Sequence, residues 1–454
     1  MLEIRLVRES PDKVRDNLRH RGMPEKIVDL DRLVQLDADW RRGLAEVEQL
    51  RRKRNEITGA IAQARKKGED ATRIMSEAAA IPGQIKSLEE KVEDYAEQAE
   101  QILLNLPNLV DESVPVGKDE ADNVEVKKWG TIPAFQFKTL DHIDIGLKDG
   151  LIDVEKAGQV AGARFYYLRD DLVRLNYALI QYGLDFIQHK GYRLFQPPYM
   201  LHKDVVAGAV ALADFQDVIY KIEGEDLYLI ATSEHALLGF HSNEIIDGQK
   251  LPLRYAGISP NFRKEAGAHG RDTKGIFRVH QFEKVEQFIY ALPEESWKLH
   301  EELLRNLEEF WQSLKIPYRI VNVCTGDLGT VAAKKYDLEA WLPGQGNYRE
   351  MASCSNCTSY QAVRSKVRYR ERTNEPTKYL HTLNSTLVAT ERAIVAILEN
   401  CQKSDGTIEV PVVLRKYMGG QETIPGPKVV VMSHDSSPKV AVEPSKTHLK
   451  KHEH

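Results

Sequence analysis

The sequence predicts an α+β protein in three parts: an arm domain at residues 1–109, a mixed domain at 110–425 and a tail at 426–454. Two observations predict this division. Apolar residues recur with heptad spacing between residues 33 and 106, which is typical of two long paired helices. After residue 190, short strand-like runs alternate with helical runs and Gly-containing loops. A chain of 454 residues is also long enough for more than one domain.

Composition and charge exclude several classes of protein. The formal net charge is −5 and 42% of the residues are hydrophobic, so no global basic signature for RNA exists and any RNA contact must be local. No run is long and apolar enough to span a membrane, and the N-terminus has no apolar signal-peptide core. Four cysteines do not make a disulfide framework. We therefore expect a cytoplasmic protein that does not enter a membrane.

The arm consists of two heptad segments joined by a short turn. The first has two apolar seams from Leu33 to Ala64, and the second alternates spacings of four and three from Ile74 to Leu106. Between them, Lys66-Lys67-Gly68 breaks the pattern, so we expect an antiparallel helical hairpin. About 35 residues per helix would give a length of roughly 50 Å. Pro82-Gly83 predicts a kink or a local break in the second helix.

The two helices of the arm carry opposite charge. Residues 40–67 contain nine Lys and Arg against three Glu, whereas residues 69–104 contain three against nine Asp and Glu. One interpretation is that the helices simply attract each other. The other is that a basic edge contacts a phosphate backbone, because a protruding hairpin can recognise RNA by its shape. The candidate RNA contacts are Arg51, Arg52, Arg54 and Lys66.

A β-hairpin is predicted from Phe262 to Glu286, with a polar, Gly-rich tip. Arg263 and Glu265 are two residues apart, so they would share one face of an extended strand. The second strand-like run would place alternate residues on one face: Ile276, Arg278, His280 and Phe282.

The residue types of this hairpin suit a nucleotide. Guanidinium groups bind phosphate, an aromatic ring stacks on a base, and a carboxylate accepts a hydrogen bond from an amino group. Arginines, Phe282 and the carboxylates Glu265 and Glu286 supply all three. The alternative is a surface hairpin with ordinary ion pairs.

The hairpin resembles motif 2 of the class II aminoacyl-tRNA synthetases. Within that class, the run RVHQFEKVEQF at 278–288 is similar to that of the seryl-tRNA synthetases. The resemblance implies a core of antiparallel β-sheet flanked by helices, in a homodimer of the archaeal-like type. It also implies that the N-terminal arm grips the long variable arm of tRNA(Ser), with tRNA(Sec) as a second candidate substrate.

Three further elements follow the family order between residues 190 and 400. GYRLFQPPYML at 191–201 resembles motif 1, which builds the dimer interface, although a strand ended by prolines is an alternative. Thr232, Ser233 and Glu234 would lie at a strand end, with Thr232 and Glu234 on one face, or would cap a helix. The resemblance makes them the element that holds the ammonium and hydroxyl groups of serine.

The stretch 341–364 matches the family's ATP and Mg²⁺ contacts at Glu350 and Ser353. It also contains Cys354 and Cys357, but a lone C-x-x-C supplies only two of the four ligands that zinc requires. The family carries S-N-C here without a metal, so we expect no zinc.

The last element, HTLNST followed by a helix from about Leu387, resembles motif 3. Its Arg392 would lie near a helix N-terminus, which favours phosphate, and would contact the ATP γ-phosphate. The chain departs from the family pattern at Thr386, which adds a methyl group where a small hydroxyl residue lines the serine pocket.

The resemblance thus implies a serine–tRNA ligase that uses ATP and Mg²⁺, with Arg263 and Arg392 as its catalytic residues. The expected ATP contacts are Arg263, Lys264, Glu265, Arg278, Val279, His280, Gln281, Phe282, Glu350, Met351, Ala352, Ser353 and Arg392. The expected serine contacts are Thr232, Ser233, Glu234, Arg263, Glu286, Asn384 and Thr386. Two alternatives are a ligase that loads a carrier protein, which would lack the arm, and a non-catalytic RNA-binding protein, which would have lost these charged residues. The polar tail is expected to be disordered.

Overall fold

The structure is a computed structural model, and it describes residues 1–148, 150–210, 218–265 and 275–425. The predicted disordered tail and the predicted tip of the hairpin therefore lie outside the described residues. Within these ranges we number the α-helices in chain order: α1 Ile4–Glu9, α2 Pro11–His20, α3 Ile27–Lys67, α4 Thr72–Asn105, α5 His142–Lys148, α6 Val154–Ala161, α7 Asp171–His189, α8 Lys203–Ala209, α9 Ser233–Gly239, α10 Ser296–Ser313, α11 Tyr360–Arg364, α12 Thr390–Asn400 and α13 Val412–Arg415.

The strands are numbered in the same way within the described residues. They are β1 Val124–Trp129, β2 Ile152–Asp153, β3 Tyr167–Leu168, β4 Arg193–Phe195, β5 Met200–His202, β6 Leu227–Leu229, β7 Ile245–Asp247, β8 Leu253–Phe262, β9 Gln281–Ala291, β10 Tyr318–Asn322, β11 Lys334–Leu342, β12 Asn347–Asn356, β13 Arg368–Arg370, β14 Lys378–Tyr379, β15 His381–Ala389, β16 Ile408–Glu409 and β17 Thr423–Ile424.

The arm is an antiparallel pair of helices, α3 with 41 residues and α4 with 34. Gly68 ends α3 in the left-handed conformation, with φ of 71°, which glycine adopts without a Cβ penalty. Val47, Ile81 and Ile85 form a small apolar cluster between the helices. The heptad prediction of a long helical arm is confirmed, and because α3 begins at Ile27 it is roughly 60 Å long rather than 50 Å.

The expected break at Pro82 does not occur, since α4 continues through it. Pro82 and Gly83 are exposed, whereas Ile81 and Ile85 beside them are buried in the arm's apolar cluster. Packing on both sides of the proline therefore holds the helix together, although the proline has no N–H to donate to the preceding turn.

The second domain is built around an eight-stranded sheet with the order β1-β10-β11-β12-β15-β9-β8-β4. Every neighbouring pair is antiparallel except β4 and β8, which are parallel. Helices α7, α10 and α12 contribute apolar residues to the core against this sheet, among them the fully buried Phe310 and Trp311. The predicted α+β architecture is confirmed.

The segment 108–130 has a polar sequence, but only part of it is irregular in the structure. Residues 124–129 form β1, which pairs with β10 along the edge of the main sheet. Their side chains are mostly exposed, so the segment lacks the apolar alternation that identifies a strand. Backbone pairing, which composition does not reveal, makes it part of the sheet.

Polar contacts fix the arm domain to the core. The buried guanidinium of Arg21 donates to the carbonyls of Asn108, Gly329 and Ala332. The side-chain amide of Asn108 donates to Val331 O at 2.9 Å and to Cys357 O at 2.8 Å. None of the helices that the structure describes could cross a membrane, being either too short or too polar.

Candidate active site

A cavity of about 260 Å³ lies where β8, β9, β12 and β15 meet the N-termini of α9 and α12. Most of the predicted site residues line it: Thr232, Glu234, Arg263, Glu265, Arg278, Val279, Phe282, Glu286, Glu350, Met351, Ala352, Ser353, Asn384, Thr386 and Arg392. They come from segments more than 150 residues apart in the chain, so the fold and not local sequence brings them together.

Four of the predicted residues lie outside the lining of this cavity. Ser233 is fully buried and its hydroxyl donates to Gly257 O at 3.3 Å. Lys264 donates its backbone N–H to Val218 O, and Gln281 is exposed at the start of β9. His280 contacts Arg263 O through Nδ1 at 2.8 Å and so lies behind the cavity wall.

The hairpin differs from its predicted form at both strands. Strand β8 ends at Phe262 and β9 begins at Gln281, so the expected strand face from Ile276 to His280 is wrong. Arg263 and Glu265 likewise do not share a strand face, because Glu265 has a positive φ of 49°. Glu265 nevertheless lines the cavity, where its carboxylate forms an ion pair with Arg278, another of the predicted ATP contacts.

Arg263 is held by two contacts at the centre of the cavity. Its Nε donates to Ala231 O at 3.3 Å, and its guanidinium carbon lies 5.1 Å from the centroid of the Phe282 ring. Burial lowers the pKa of Arg263, but a guanidinium stays charged at neutral pH even so. The side chain therefore places a fixed positive charge in the site.

Thr232 caps a helix, so the predicted strand end at Thr232 and Glu234 is wrong and the alternative is right. The Thr232 hydroxyl accepts from the N–H of Glu234 at 3.3 Å at the start of α9. The Glu234 carboxylate accepts from Gln361 Nε2 at 2.6 Å. Burial, and then the charge of Glu286, raise the pKa of Glu234 to about 7.

Next to Glu234 is a buried polar group formed by Lys284, Glu286 and Thr386, of which only Glu286 and Thr386 were predicted from the sequence. Lys284 pairs with Glu286, and the Thr386 hydroxyl donates to the same carboxylate at 3.0 Å. Lys284 was not among the residues predicted from the sequence. Its signal was available, because Lys284 and Glu286 are two residues apart in a strand and so lie on one face.

A second charged group consists of Arg392 and Glu350. The Arg392 guanidinium donates to Glu350 O at 3.0 Å and lies 3.4 Å from the Glu350 carboxylate. The guanidinium carbon of Arg392 lies 5.1 Å from the centroid of the Phe277 ring, and the guanidinium carbon of Arg349 lies 4.3 Å from the same centroid. Phe277 was also missed. Helix α12 begins at Thr390 and not at Leu387, so Arg392 is in its first turn.

Beside Arg392, Glu391 is a buried carboxylate that sequence reasoning did not single out. It accepts from the Tyr166 hydroxyl and from the N–H of Glu283, the latter at 3.1 Å. Burial raises the pKa of Glu391 to about 7. Its contacts join the start of α12 to β9 and hold Arg392 in place.

Among the described residues, no cluster of three or more His, Cys, Asp or Glu side chains could hold a metal ion. Cys324, Cys354 and Cys357 are buried free thiols, and Cys401 is partly buried. Glu350 and Ser353 are oxygen donors on β12, and the Glu350 side chain is 45% exposed beside Arg392.

Comparison with known proteins covers both domains. Residues 1–110 match the seryl-tRNA synthetase N-terminal domain, and residues 218–401 match the tRNA synthetase class II core domain (G, H, P, S and T). The serine–tRNA ligase of Nitrosopumilus maritimus is 53% identical over 424 residues, which are 93% of this chain and 100% of that protein. That of Pyrococcus horikoshii is 50% identical over 445 residues, 94% of this chain and 98% of that protein.

The fold of this chain is also similar to that of two solved structures. The crystal structure of seryl-tRNA synthetase from Pyrococcus horikoshii complexed with ATP has a TM-score of 0.90 at 50% identity, and covers 93% of this chain and 99% of that chain. The cytoplasmic serine–tRNA ligase from Naegleria fowleri, in complex with AMP, has a TM-score of 0.85 at 38% identity, over 93% of this chain and 98% of that chain. The chain therefore belongs to the seryl-tRNA synthetase family and is an ATP-dependent serine–tRNA ligase with a class II core.

Proposed function

We propose that this cavity binds L-serine and ATP side by side, with Arg263 between them. Two charged groups support this division: Glu234, Lys284, Glu286 and Thr386 in one, and Glu350 and Arg392 in the other. Arg263 interacts electrostatically with both, through Glu286 on one side and through Glu350 and Arg392 on the other. A central cation suits the reaction, in which negative charge develops at the phosphate between the two substrates.

The first group binds serine. Glu234 and Glu286 accept from the serine ammonium, and Thr232, Asn384 and Thr386 surround its hydroxyl. Lys284 offsets one of the two carboxylates, so an incoming ammonium completes the charge balance of the group. A site that hydrogen-bonds the hydroxyl rejects alanine strongly, because alanine leaves buried polar groups without partners. Threonine must be excluded by its additional methyl group.

The second group binds ATP. Arg263 contacts the α-phosphate and Arg392 the γ-phosphate, Phe282 stacks on adenine, and Glu265 accepts from the adenine amino group. Arg278, Val279, Met351 and Ala352 form the surrounding wall. Lys264, His280 and Gln281 lie outside the lining of the cavity and stay predictions as ATP contacts.

Glu350 and Ser353 would hold Mg²⁺ together with the phosphate oxygens of ATP. Oxygen donors suit this hard cation, which commonly takes only one or two protein ligands beside substrate phosphates. The small donor set fits that mode of binding. When bound, Mg²⁺ neutralises charge on the pyrophosphate.

The residues act by alignment and charge, so no general base is required. The serine carboxylate attacks the α-phosphorus, and pyrophosphate leaves from the opposite side. Glu234 and Glu286 hold the ammonium so that the carboxylate faces the phosphorus, while Arg263 stabilises the charge on the α-phosphate. Tyr166 and Glu391 fix the start of α12 and thereby the position of Arg392.

The arm binds tRNA(Ser) through those basic side chains that the arm itself does not engage. Arg51 pairs with Glu89 across the hairpin at 2.7 Å, and Arg52 lies 3.4 Å from Glu48 on its own helix. In the part of the chain that the structure describes, Arg54 and Lys66 form no ion pair. They are therefore the stronger candidates for phosphate contacts. Charging of tRNA(Sec) stays a prediction, tested with the two purified tRNAs.

A homodimer accounts for exposed apolar residues around strand β4. This strand is the last of the main sheet, and Leu194, Met200 and Phe240 near it are large and exposed. An unpaired strand edge with apolar neighbours is a surface that a second copy can cover. Sedimentation at micromolar concentration tests it, because a monomer would contradict this assignment.

ATP–pyrophosphate exchange, measured with each amino acid in turn, tests the assignment of the cavity. Serine alone should support exchange at a substantial rate. Comparable exchange with threonine, or none with serine, would overturn the proposed serine contacts.

A further inference from the structure

Gln361 is a buried side chain that reaches the proposed serine site from behind. It is 0% exposed and lies outside the lining of the cavity. Its Nε2 donates to Glu234 Oε1 at 2.6 Å and to Ala209 O at 3.3 Å, and its Oε1 accepts from the Thr382 hydroxyl at 2.7 Å. The amide of Gln361 therefore uses both its nitrogen and its oxygen inside the core.

The orientation of this amide follows from its partners. An ionised Glu234 carboxylate and the Ala209 carbonyl can only accept hydrogen bonds, so the amide nitrogen must face them. The amide oxygen then faces Thr382, whose hydroxyl can donate. A flipped amide would place its oxygen against two acceptors. Thr382, which is itself fully buried on β15, therefore helps to fix the direction in which Gln361 donates.

Helix α11, which carries Gln361, is anchored on both sides. The Tyr360 hydroxyl donates to Leu106 O at 2.7 Å at the base of the arm. The Arg364 guanidinium donates to Ala207 O at 2.9 Å and to Val210 O at 2.8 Å, at the end of α8. A side chain on so firmly held an element can place its partner accurately, as a supporting contact of a binding site must.

Glu234 has one carboxylate oxygen left for a ligand. Among the described residues, no side chain other than Gln361 donates to it, and Glu234 lines the cavity. The charged and titratable groups around it are Glu286 and Lys284 on β9, Arg263 after β8, and the buried Cys357 thiol. Burial and then Glu286 raise the pKa of Glu234. The Gln361 hydrogen bond lowers this pKa, and so, to a smaller extent, do Lys284 and Arg263.

We propose that Gln361 is a positioning residue for serine binding, which holds Glu234 with its second oxygen directed at the serine ammonium. This rests on the proposed function of the cavity, in which Glu234 accepts from that ammonium. Gln361 does not touch the substrate, and it acts by fixing the rotation of the carboxylate. Since the ammonium contact is the same before and during the reaction, losing Gln361 should raise the KM for serine and leave kcat nearly unchanged.

Gln361→Met tests this, because it removes the donor and keeps a side chain of similar length. The matched control is Gln402→Met, since Gln402 is also buried and forms three hydrogen bonds, outside the cavity. For Gln361→Met in ATP–pyrophosphate exchange, the KM for serine should rise by about 10- to 100-fold, as for a lost hydrogen bond to a charged group. The KM for ATP and kcat should stay within about twofold. Gln402→Met should leave the KM for serine within about twofold, even if thermal unfolding shows that both variants are less stable.

Thr382→Val is a milder variant of nearly unchanged volume. It keeps Gln361 but removes the hydroxyl that orients the amide, so the KM for serine should rise by about three- to tenfold, as for one lost neutral hydrogen bond. Combining it with Gln361→Met should raise the KM no further than Gln361→Met alone, because both changes act through the same amide. Additive effects would contradict the proposed chain of contacts from Thr382 through Gln361 to Glu234.

The pH dependence supplies a readout that a merely structural role would not change. A donor stabilises the ionised carboxylate, so its removal raises the pKa of Glu234 further. In Gln361→Met, the pH below which the KM for serine rises should therefore move upward by about one unit, and in Gln402→Met it should not move.

Two results would overturn the proposal. One is an unchanged KM for serine in Gln361→Met, and the other is a parallel change of kcat and of the KM for both substrates. An unchanged KM for serine in Glu234→Gln would instead overturn the proposed function of Glu234 in the cavity. The two failures are therefore distinguishable.

Discussion

The proposed substrate cavity and the arm use the same charged residue types in opposite environments. Lys284 and Glu286 are 5% and 2% exposed and pair with each other inside the core. Arg51 and Arg52 in the arm have side chains that are 56% and 77% exposed. A buried charge that loses its partner costs several kcal/mol, whereas an exposed pair contributes about 0–1 kcal/mol and is screened by salt. The cavity therefore holds its charges in place, and the arm keeps its charges available to a partner.

The apolar contacts of the two regions differ in the same way. The core cluster extends over the main sheet and its helices, while the outer part of the arm contains only the small cluster around Val47, Ile81 and Ile85. The base of the arm is different again, because Leu30, Leu33, Leu103 and Leu106 pack with Tyr360 of the second domain. The outer arm is thus separable from the core, and its base is not.

The largest effect is expected for Arg263→Ala. Removing the central cation should lower serine-dependent exchange by about 10²–10³-fold, or about 3–4 kcal/mol of transition-state stabilisation, as for a lost oxyanion donor. Steady-state exchange kinetics measure it, and thermal unfolding should be nearly unchanged because the side chain lines a cavity. Arg254→Ala is the control, since Arg254 pairs with Glu302 away from this site. Near-full activity of Arg263→Ala would show that serine activation does not need the positive charge of Arg263.

Removal of the outer arm should separate the two regions functionally. Replacing residues 48–87 by a short Gly–Ser turn keeps the base cluster, which a deletion of the whole arm from residue 33 to 106 would expose. Exchange should persist, and charging of tRNA(Ser) should fall on the order of tenfold to a hundredfold through lost phosphate contacts. A parallel fall of both rates would mean that the arm braces the core.

Serine binding should weaken as the pH falls below about 7. The pKa of Glu234 is raised to about 7, so the free site gains a proton below that pH, and the serine ammonium must displace it. The KM for serine in exchange should therefore rise by up to about tenfold per pH unit below 7 and level off above it. Glu234→Gln should bind serine weakly at every pH tested. A pH-independent KM in the unmodified enzyme would remove Glu234 from the ammonium site.

The smallest effects are expected within the arm itself, where they separate the two interpretations of its charge. The double variant Arg54→Ala, Lys66→Ala removes side chains that form no ion pair within the described residues, and should lower the log–log salt slope of tRNA binding by about one unit per contact or somewhat less. Its matched control is Arg51→Ala, Lys53→Ala, whose side chains pair with Glu89 and Glu77 across the hairpin. Filter binding at two salt concentrations measures both. Equal salt slopes for the unmodified enzyme and both double variants would favour the interpretation that the charges of the arm only attract its two helices to each other.

The sequence by itself determined the elements whose signal is periodic or chemical. Heptad spacing specified the arm, because an apolar seam every seven residues is buried only between paired helices. The family motifs specified most of the residues around the cavity, since charged side chains such as Arg263, Glu286 and Arg392 have few other reasons to line one cavity together. The rule that a proline breaks a helix did not hold at Pro82. Helix α4 continues there because the residues on either side of the proline pack against α3.

Only the tertiary structure decided the features that depend on distant partners. Strand β1 has a polar, exposed sequence and becomes a strand because β10 offers its edge. The burial of the Lys284–Glu286 pair and of Glu391 follows from how β9, β15 and α12 converge. The position of segment 328–332 has no sequence signal, since its carbonyls are held by Arg21 and Asn108, more than 200 residues away. Such contacts are specified by the packing of whole domains, which no local pattern of residues encodes.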